Sequence, residues 1–509
     1  MIRRKKTGRI AIRGVAVAVL LLAVMGIFFA ACAAEDGNPQ GSLPGESQEI
    51  PQGVTPGGSS QESGEVPTGP ETDGNPETSG TGSSGTEAVT TPEGSVAPET
   101  SIGPETSKKP TTSSEPATSS ASTTPANPET SKTPDTSKEP ETSKKPDTPK
   151  TPLTPEEIDR AARKLLQGMT LEEKIYQLFI VTPEQLCDRK ATVTEAGAIT
   201  EAALKRRPVG GIVYFAGNIV TPEQVSRMIA GQQAFSRLGL FIAVDEEGGR
   251  VARLGRNPAM GTATFPPMGE IGAGGDLAAA RNVGLTLGRD LLRFGFNLNF
   301  APVADVNSNP DNPVIGDRSF SRDPAMAAKM VAACVSGFRE SGVLCTLKHF
   351  PGHGDTATDS HYGAAISEKT LSDLQKCEFL PFLSGIDAGA DLIMVGHISL
   401  PAVTGDDTPA TLSYEIVTGI LREQLGFSGL IVTDSMSMKA ISGRYPAGEA
   451  AVKALLAGVD ILLMPENLAD AAGGILTAVQ KGKISEERLE ESVYRILSLK
   501  LSAGIIPQA

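Results

Sequence analysis

The feature that most constrains the fold is an alternation of short apolar runs and longer helical patterns, which continues from about residue 153 to residue 509. Strands buried on both faces are typical of parallel sheets covered by helices. The pattern predicts an α/β fold, a (β/α)8 TIM-type barrel. A doubly wound open sheet is the alternative, because strand order cannot be read from one sequence. The predicted strands are residues 176–181, 210–215, 240–244, 296–303, 343–347, 391–395, 429–433 and 458–464. The predicted helices between them include residues 222–237, 277–294, 324–340 and 371–388.

Residues 1–34 have the pattern of an export signal. A cluster of Lys and Arg between residues 3 and 13 precedes an uncharged apolar run from residue 14 to residue 34. One interpretation is a lipoprotein signal cleaved before Cys32, which follows two alanines. The other is an uncleaved anchor helix, because the run approaches the thickness of a bilayer. Either interpretation predicts an exported protein that is tethered at the extracellular face of the cell membrane.

Residues 35–152 predict a disordered stalk. Pro, Thr, Ser, Glu, Gly and Lys dominate this stretch, and such a composition buries too little apolar surface to offset the entropy cost of folding. Its last part repeats a six-residue unit with regular prolines, which favours extended, semi-stiff conformations. A spacer or a glycosylated stalk that reaches the cell wall fits this composition. The mixed charges and the net charge of −14 argue against a nucleic-acid partner.

An ordered domain is predicted for residues 153–509, and it starts with two helix-capping signals. Thr154 precedes Pro155 and Glu157, and the same spacing recurs at Thr170. The chain has five Cys at irregular spacing, so a disulfide framework is not expected. CxxC and HExxH motifs are missing, and we therefore do not expect a metal site. We expect no other cofactor.

Polar side chains follow most of the predicted strands, and three of the four histidines lie within one 14-residue stretch. Barrel enzymes place their active sites in the loops after the strands, so these residues predict a catalytic site there. One acid at a strand end could be only a helix cap, whereas five such strand ends are difficult to explain in this way. The five strand ends are residues 245–250, Asp305, residues 348–361, His397 and Asp434.

Two parts of this set have the chemistry of catalytic groups. Asp434 ends a buried apolar run, where a carboxylate is costly unless it is hydrogen-bonded or acts as a nucleophile. A helix N-cap is the alternative role for this residue. Asp359 and His361 are two residues apart in a Gly-rich loop, where Asp359 could fix the imidazole tautomer and make a general acid/base. An Asx turn with an exposed His is the alternative for this pair.

Four motifs make residues 153–509 resemble glycoside hydrolase family 3, in its single-domain β-N-acetylglucosaminidase (β-hexosaminidase) branch. They are DEEGGRVARL from Asp245, DRSF from Asp317, KHFPGHGDTATDSH from Lys348 and TDSMSMKAI from Thr433. The resemblance implies retaining hydrolysis without a cofactor, with Asp434 as nucleophile and His361, paired with Asp359, as acid/base. It also implies sugar contacts from a further set of residues, namely Asp245, Arg253, Arg318, Lys348 and His349. His353 and Asp355 are assigned to loop structure.

The expected partner is a carbohydrate that ends in β-linked N-acetylglucosamine (GlcNAc). The chain has no Trp, which makes a long cleft of stacked sugars less plausible and favours removal of one terminal sugar. Peptidoglycan fragments and chitin oligosaccharides both suit an exported enzyme, and we favour the first. The alternatives are a β-glucosidase, β-xylosidase or GlcNAc phosphorylase of the same family, or a non-catalytic wall-binding barrel. No large second domain is expected after the barrel.

Overall fold

The computed structural model describes residues 152–507. The predicted export signal, and the predicted stalk up to residue 151, lie outside the described residues. Between residues 152 and 507, no helix is both long enough and apolar enough to cross a membrane.

Eight parallel strands form one sheet whose two ends meet. The strands in chain order are β1 Phe179–Val181, β2 Gly211–Tyr214, β3 Phe241–Val244, β4 Leu298–Asn299, β5 Leu344–Phe350, β7 Leu392–Val395, β9 Leu430–Thr433 and β10 Leu462–Leu463. Each strand from β1 to β7 pairs in parallel with the next strand in this series, and β10 pairs with β1. A parallel bridge between Val432 and Ile461 joins β9 to the start of β10, and the Thr433 amide donates to the Ile461 carbonyl at 3.0 Å. This closure confirms the predicted barrel.

A small second sheet lies above the barrel. Its two parallel strands are β6 (Ala365–Ile366) and β8 (Ile398–Ser399). Strand β6 follows the Gly-rich loop after β5, and β8 follows the end of β7. The pairing therefore fixes the far end of the loop that carries His361.

Helices surround the barrel, and their starts follow the sequence signals. Thr154 and Thr170 both form complete capping boxes, with Glu157 and Glu173 as the reciprocal partners, as predicted. The longer helices are Pro155–Gln167, Ala198–Arg206, Pro222–Phe235, Leu277–Phe294, Pro324–Ser341, Phe379–Asp387, Ala447–Ala457, Leu468–Gln480 and Glu486–Ser502, with a π-helix at Glu415–Gln424. Strand residues that face the barrel interior are buried, and so are those that face the surrounding helices.

Four predicted boundaries are wrong. The strand predicted at 296–303 is too long, because β4 spans only Leu298–Asn299. The strand predicted at 176–181 starts too early, because the helix Leu171–Gln177 occupies its first residues. The single helix predicted at 371–388 is two helices, Leu371–Lys376 and Phe379–Asp387. Pro381 explains this break, because proline has no N–H for the residue 377 carbonyl and is tolerated only in the first turn of a helix. The strand predicted at 458–464 begins late, since Gly458 has φ +115° and ends the preceding helix.

Candidate active site

A pocket of about 260 Å³ opens at the carboxyl ends of the barrel strands. Its floor is apolar, and its wall carries most of the charged residues that follow the strands. The polar lining residues are Asp245, Glu247, Arg253, Arg318, Lys348, His349, His353, Ser360, His361, Asp434 and Ser435. The barrel topology brings them together from four different strand ends, those of β3, β4, β5 and β9, as the parallel arrangement requires.

An ion-pair cluster lines one side of the pocket. The ammonium of Lys348 donates to Asp245 Oδ1 at 2.8 Å and contacts Glu247 Oε1 at 2.6 Å. The guanidinium of Arg318 donates two hydrogen bonds to Glu247, from Nη2 to Oε1 at 2.8 Å and from Nε to Oε2 at 2.9 Å. Burial opposes charge on Glu247, but Arg318 and Lys348 outweigh it and hold the pKa of Glu247 far below its usual range. The two cations therefore stay charged and fixed in position beside the pocket.

The loop after β3 is shaped by a buried carboxylate that has no cationic partner. Glu246 accepts hydrogen bonds from three successive backbone amides, those of Arg253, Leu254 and Gly255, at 2.7, 2.8 and 2.9 Å. Burial raises the pKa of Glu246 above its usual range despite these bonds. These contacts fold the chain back so that Arg253 reaches the pocket.

Arg253 has spare donors in this position. Its Nη2 lies 3.7 Å from Asp245 Oδ2, and its guanidinium lies 5.5 Å from the centroid of the Phe215 ring. Its buried Nε has no hydrogen-bond partner. The Arg253 side chain lines the pocket, so its Nη donors can meet a ligand oxygen there.

His349 is held in one orientation by Asp305. Its Nδ1 lies 2.7 Å from Asp305 Oδ2, so the Nδ1–H donates to the carboxylate. Burial would raise the pKa of Asp305, but the nearby His349 and the amide of His353 outweigh it and lower that pKa. This pairing leaves the Nε2 of His349 as the nitrogen available to the pocket.

Asp434 lies half-buried just after β9, where its backbone amide donates to the Val395 carbonyl at 2.9 Å. The amide of Ser435 donates to Asp434 Oδ1 at 2.7 Å. Burial opposes the charged form, yet His349, His397 and the Ser435 amide together lower the pKa of Asp434 below its usual value. The carboxylate is therefore anionic at neutral pH, which a nucleophile requires.

His361 and Asp359 form the predicted pair. The imidazole Nδ1 lies 2.8 Å from Asp359 Oδ1, and the same oxygen accepts from the His361 amide at 2.9 Å. The His361 side chain is 60% exposed, whereas that of Asp359 is 26% exposed. Although burial acts in the other direction, the bonds from His361 lower the pKa of Asp359. The geometry leaves Nε2 of His361 free to exchange a proton with a bound molecule.

Two further histidines are fixed within the protein. His397 is buried, with Nδ1 2.7 Å from Thr411 Oγ1 and Nε2 2.9 Å from the Ser435 carbonyl. His353 contacts Thr356 Oγ1 at 2.6 Å and Ser360 Oγ at 3.1 Å. Burial lowers the pKa of both imidazoles, so both are neutral near pH 7. They support the backbone beside Asp434 and His361.

Comparison with known proteins identifies the family. Residues 170–499 match the family described as Glycosyl hydrolase family 3 N terminal domain. The chain belongs to glycosyl hydrolase family 3. The motifs that match this family in the sequence are the loops that build the pocket.

Three known proteins illustrate the similarity. Beta-hexosaminidase A of Pseudoalteromonas piscicida is 38% identical over 345 residues, which span 62% of this chain and 56% of that protein. Beta-hexosaminidase LpqI of Mycobacterium tuberculosis is 34% identical, with 64% of this chain and 82% of LpqI covered. A solved family 3 β-N-acetylglucosaminidase from Paenibacillus sp. str. FPU-7 has a TM-score of 0.63 and 38% identity. That comparison covers 67% of this chain and 64% of the Paenibacillus chain.

Seven of the eight site residues predicted from the family 3 motifs line one pocket, and the eighth, Asp359, is bonded to a lining residue. Asp355 lies in loop structure, as expected, where it accepts from Ser367 and pairs with Lys369 at 3.3 Å. His353 also has bonds within its loop, and it additionally lines the pocket. Their catalytic and sugar-binding roles remain predictions.

Sequence reasoning missed Glu247, which joins Lys348 to Arg318. Its position after β3 was noticed, but nothing in the sequence shows that it points to these two cations rather than to solvent. Asp305 was likewise seen only as a strand end, and its bond to His349 depends on the barrel. Between residues 152 and 507, no group of three or more His, Cys, Asp or Glu side chains is arranged to hold a metal ion.

Proposed function

We propose that this protein is an exo-acting, retaining β-N-acetylglucosaminidase that removes terminal β-linked GlcNAc. The observation that carries the proposal is one pocket with an anionic Asp434 and an oriented His361, of about the volume of a single sugar. The similarity to named β-hexosaminidases supports it. The chain spans 56% of the length of the Pseudoalteromonas relative.

In the first step, an Asp434 oxygen attacks the anomeric carbon of the terminal sugar. The bond from that carbon to the leaving oxygen breaks, and the protonated His361 donates its Nε2 proton to this oxygen. Asp359 holds the Nδ1 proton throughout and keeps the imidazole in place. The products of the step are a free alcohol, a neutral imidazole and a sugar ester on Asp434.

In the second step, water attacks the anomeric carbon of the ester. The neutral His361 accepts one proton from the water through Nε2, and the bond to Asp434 breaks with return of the carboxylate. Retaining glycosidases generally use two carboxylates for these roles. A neutral imidazole avoids the repulsion that a second anion would create beside the departing Asp434 carboxylate.

The ion-pair cluster suits a sugar ring held by its hydroxyl groups. Lys348, Arg253 and Arg318 supply only donors, whereas the Asp245 carboxylate accepts hydrogen bonds. Burial reduces the competition from water at Lys348 and Arg318, so each hydrogen bond to a hydroxyl is stronger than it would be at an open surface. A pocket of about 260 Å³ with these charged groups along one side favours a terminal sugar over an internal one.

We further propose that the natural substrates are peptidoglycan fragments and that the protein acts as a tethered, exported enzyme. The N-terminal charge pattern, the apolar run to residue 34 and Cys32 support export and a lipid anchor. The stalk composition supports a spacer that extends from the membrane toward the wall. Replacement of Cys32 by Ala should move the protein from the detergent phase to the aqueous phase and remove labelling by a radioactive fatty acid. Labelling that survives the replacement would contradict a lipid on Cys32.

The activity is tested with nitrophenyl β-GlcNAc and nitrophenyl β-glucoside on the wild type, the Asp434→Asn variant and an Asp387→Asn control. Asp387 is an exposed carboxylate at the end of a helix. We expect the wild type and the control to prefer the GlcNAc substrate, and Asp434→Asn to lose nearly all turnover while it stays folded. Preference for the glucoside would indicate a β-glucosidase. No turnover by the wild type would favour a binding protein, and GlcNAc 1-phosphate formed in phosphate buffer would indicate a phosphorylase.

A further inference from the structure

Two loops of the pocket are joined by direct hydrogen bonds. The first follows β4 and carries Arg318, and the second follows β5 and carries His361. The amide of Asn309 donates to the Gly354 carbonyl at 3.1 Å, and Gly354 lies so close to Val306 that any Cβ would lie 1.7 Å from its carbonyl oxygen. The root of the His361 loop therefore rests on the Arg318 loop with no space between them.

Asn312 is the side chain that links the two loops. It is only 7% exposed, and its carboxamide uses both of its polar atoms. Its Nδ2 donates to the carbonyls of His353 at 2.7 Å and Thr356 at 2.8 Å, in the His361 loop. Its Oδ1 accepts from the amides of Val314 at 2.9 Å and Ile315 at 2.6 Å, in the Arg318 loop. Two carbonyls on one side and two amides on the other fix the orientation of this group.

Each side of Asn312 continues to a pocket residue. On one side, the Val314 carbonyl accepts from Arg318 Nη1 at 3.2 Å, and the Ile315 carbonyl accepts from the Arg318 amide at 2.9 Å. On the other side, the His353 imidazole bonds to Ser360, the residue before His361. Asn312 therefore lies between two sets of hydrogen bonds, one that reaches Arg318 and one that reaches the side chain of Ser360, next to His361.

We propose that Asn312 is a positioning residue that couples sugar binding at Arg318 to the placement of His361. The inference rests on the proposed glycosidase function. Arg318, at the sugar, holds the Val314 and Ile315 carbonyls. The amides of the same two residues hold Asn312, which in turn holds the loop that carries the acid/base. Asn312 itself contributes no proton and does not line the pocket.

The test uses Asn312→Asp, which keeps the shape of the side chain but replaces both donor hydrogens with a charged oxygen. This oxygen faces the His353 and Thr356 carbonyls and repels them, so the His361 loop should shift. Loss of general acid catalysis affects the two substrates unequally, because a sugar leaving group needs a proton more than nitrophenolate does. General acid/base catalysis is worth roughly 10²–10⁴-fold in rate. For a GlcNAc disaccharide, whose leaving group needs a proton, we expect kcat/KM to fall about tenfold or more. For nitrophenyl β-GlcNAc, kcat/KM should change less than about threefold, while kcat falls and azide restores it.

Two controls separate positioning from general destabilisation. Asn257 makes a similar loop-to-loop bridge to the Ile219 carbonyl at 2.8 Å, away from the His361 loop, so Asn257→Asp should leave the ratio between the two substrates unchanged. In a His361→Ala background, Asn312→Asp should cause no further loss on the disaccharide. If Asn312→Asp folds poorly, Asn312→Ser removes the same donors without the charge and should give the same ratio.

Equal losses on the two substrates, or losses that add to those of His361→Ala, would overturn the proposal and leave Asn312 as a structural residue. Failure of the proposed function would be recognised separately, because wild-type protein would then cleave neither substrate.

Discussion

Lys500 is a buried cation whose effect on stability can be predicted with its sign. It lies in the helix Glu486–Ser502, and its ammonium donates to Gln177 Oε1 at 2.9 Å and to the Gly239 carbonyl at 2.8 Å. Its Nζ also lies 5.1 Å from the centroid of the Phe241 ring. Burial lowers the pKa of Lys500 from its usual 10.5 to about 7. These neighbours lie at the amino ends of β1 and β3, so the site is at the opposite end of the barrel from the pocket.

The sign follows from proton counting. Between pH 7 and pH 10.5 the unfolded chain keeps the Lys500 proton while the folded protein has lost it, so stability rises with pH across this window. Below pH 7 both states are protonated, and the folded state carries the full cost of a buried charge. One pKa unit corresponds to about 1.36 kcal/mol. From pH 6 to pH 9 this residue should therefore add about 3 kcal/mol to the free energy of unfolding.

The substitution Lys500→Met removes the titrating group and keeps much of the buried volume. Its loss of two hydrogen bonds shifts stability by an amount that is the same at every pH, whereas the rise of about 3 kcal/mol between pH 6 and pH 9 should disappear. Urea unfolding followed by circular dichroism at both pH values measures this, and subtraction of the variant from the wild type cancels all other titrating groups. Parallel pH dependence in the two proteins, within about 1 kcal/mol, would refute the assignment.

Three further predictions concern the pocket and the stalk. In rapid-mixing experiments, His361→Ala should release a burst of nitrophenol followed by slow turnover that azide accelerates, and Asp359→Asn should show a milder form of the same behaviour. Steady nitrophenol release without a burst would contradict this. Glu247→Gln should lower kcat/KM by roughly 10–100-fold, because it loses charged hydrogen bonds to Lys348 and Arg318 worth about 1.5–3 kcal/mol; a change below threefold in steady-state assays would argue against this role. A chain that begins at Thr151 should keep wild-type kcat/KM on nitrophenyl β-GlcNAc, and a large loss would show that the preceding residues contribute to activity.

The sequence predicted the barrel because its signals are local and repeated. Eight apolar runs, capping boxes at Thr154 and Thr170 and the glycines at helix ends act over a few residues each. Boundaries were less predictable where two signals overlap. Tyr176 and Leu178 extend the apolar run of β1, yet the capping box at Thr170 starts a helix that continues to Gln177. At residues 371–388, one helical period continues through Pro381, but this proline has no N–H for the residue 377 carbonyl, and the helices are interrupted at residues 377–378.

The pocket was predictable as a set of residues but not as a network. The strand-end rule and the motifs identified Asp434, His361 and Lys348, because barrel geometry places all such residues on one face. Contacts between residues far apart in the chain could not be read from spacing. Glu247 with Arg318 is one example, and the Asn312 bridge is another, since each joins different loops through side chains whose directions depend on the folded barrel.

The measurement that most directly tests the catalytic account is the capture of the sugar–enzyme intermediate. A fluorinated GlcNAc derivative with a good leaving group slows the second step, so the ester should accumulate, and peptide mass spectrometry can locate it. We expect one added sugar per chain, on the peptide that contains Asp434, and no added sugar in the Asp434→Asn variant. A sugar attached to a different carboxylate, or active enzyme that shows no covalent adduct and releases an inverted product, would contradict it.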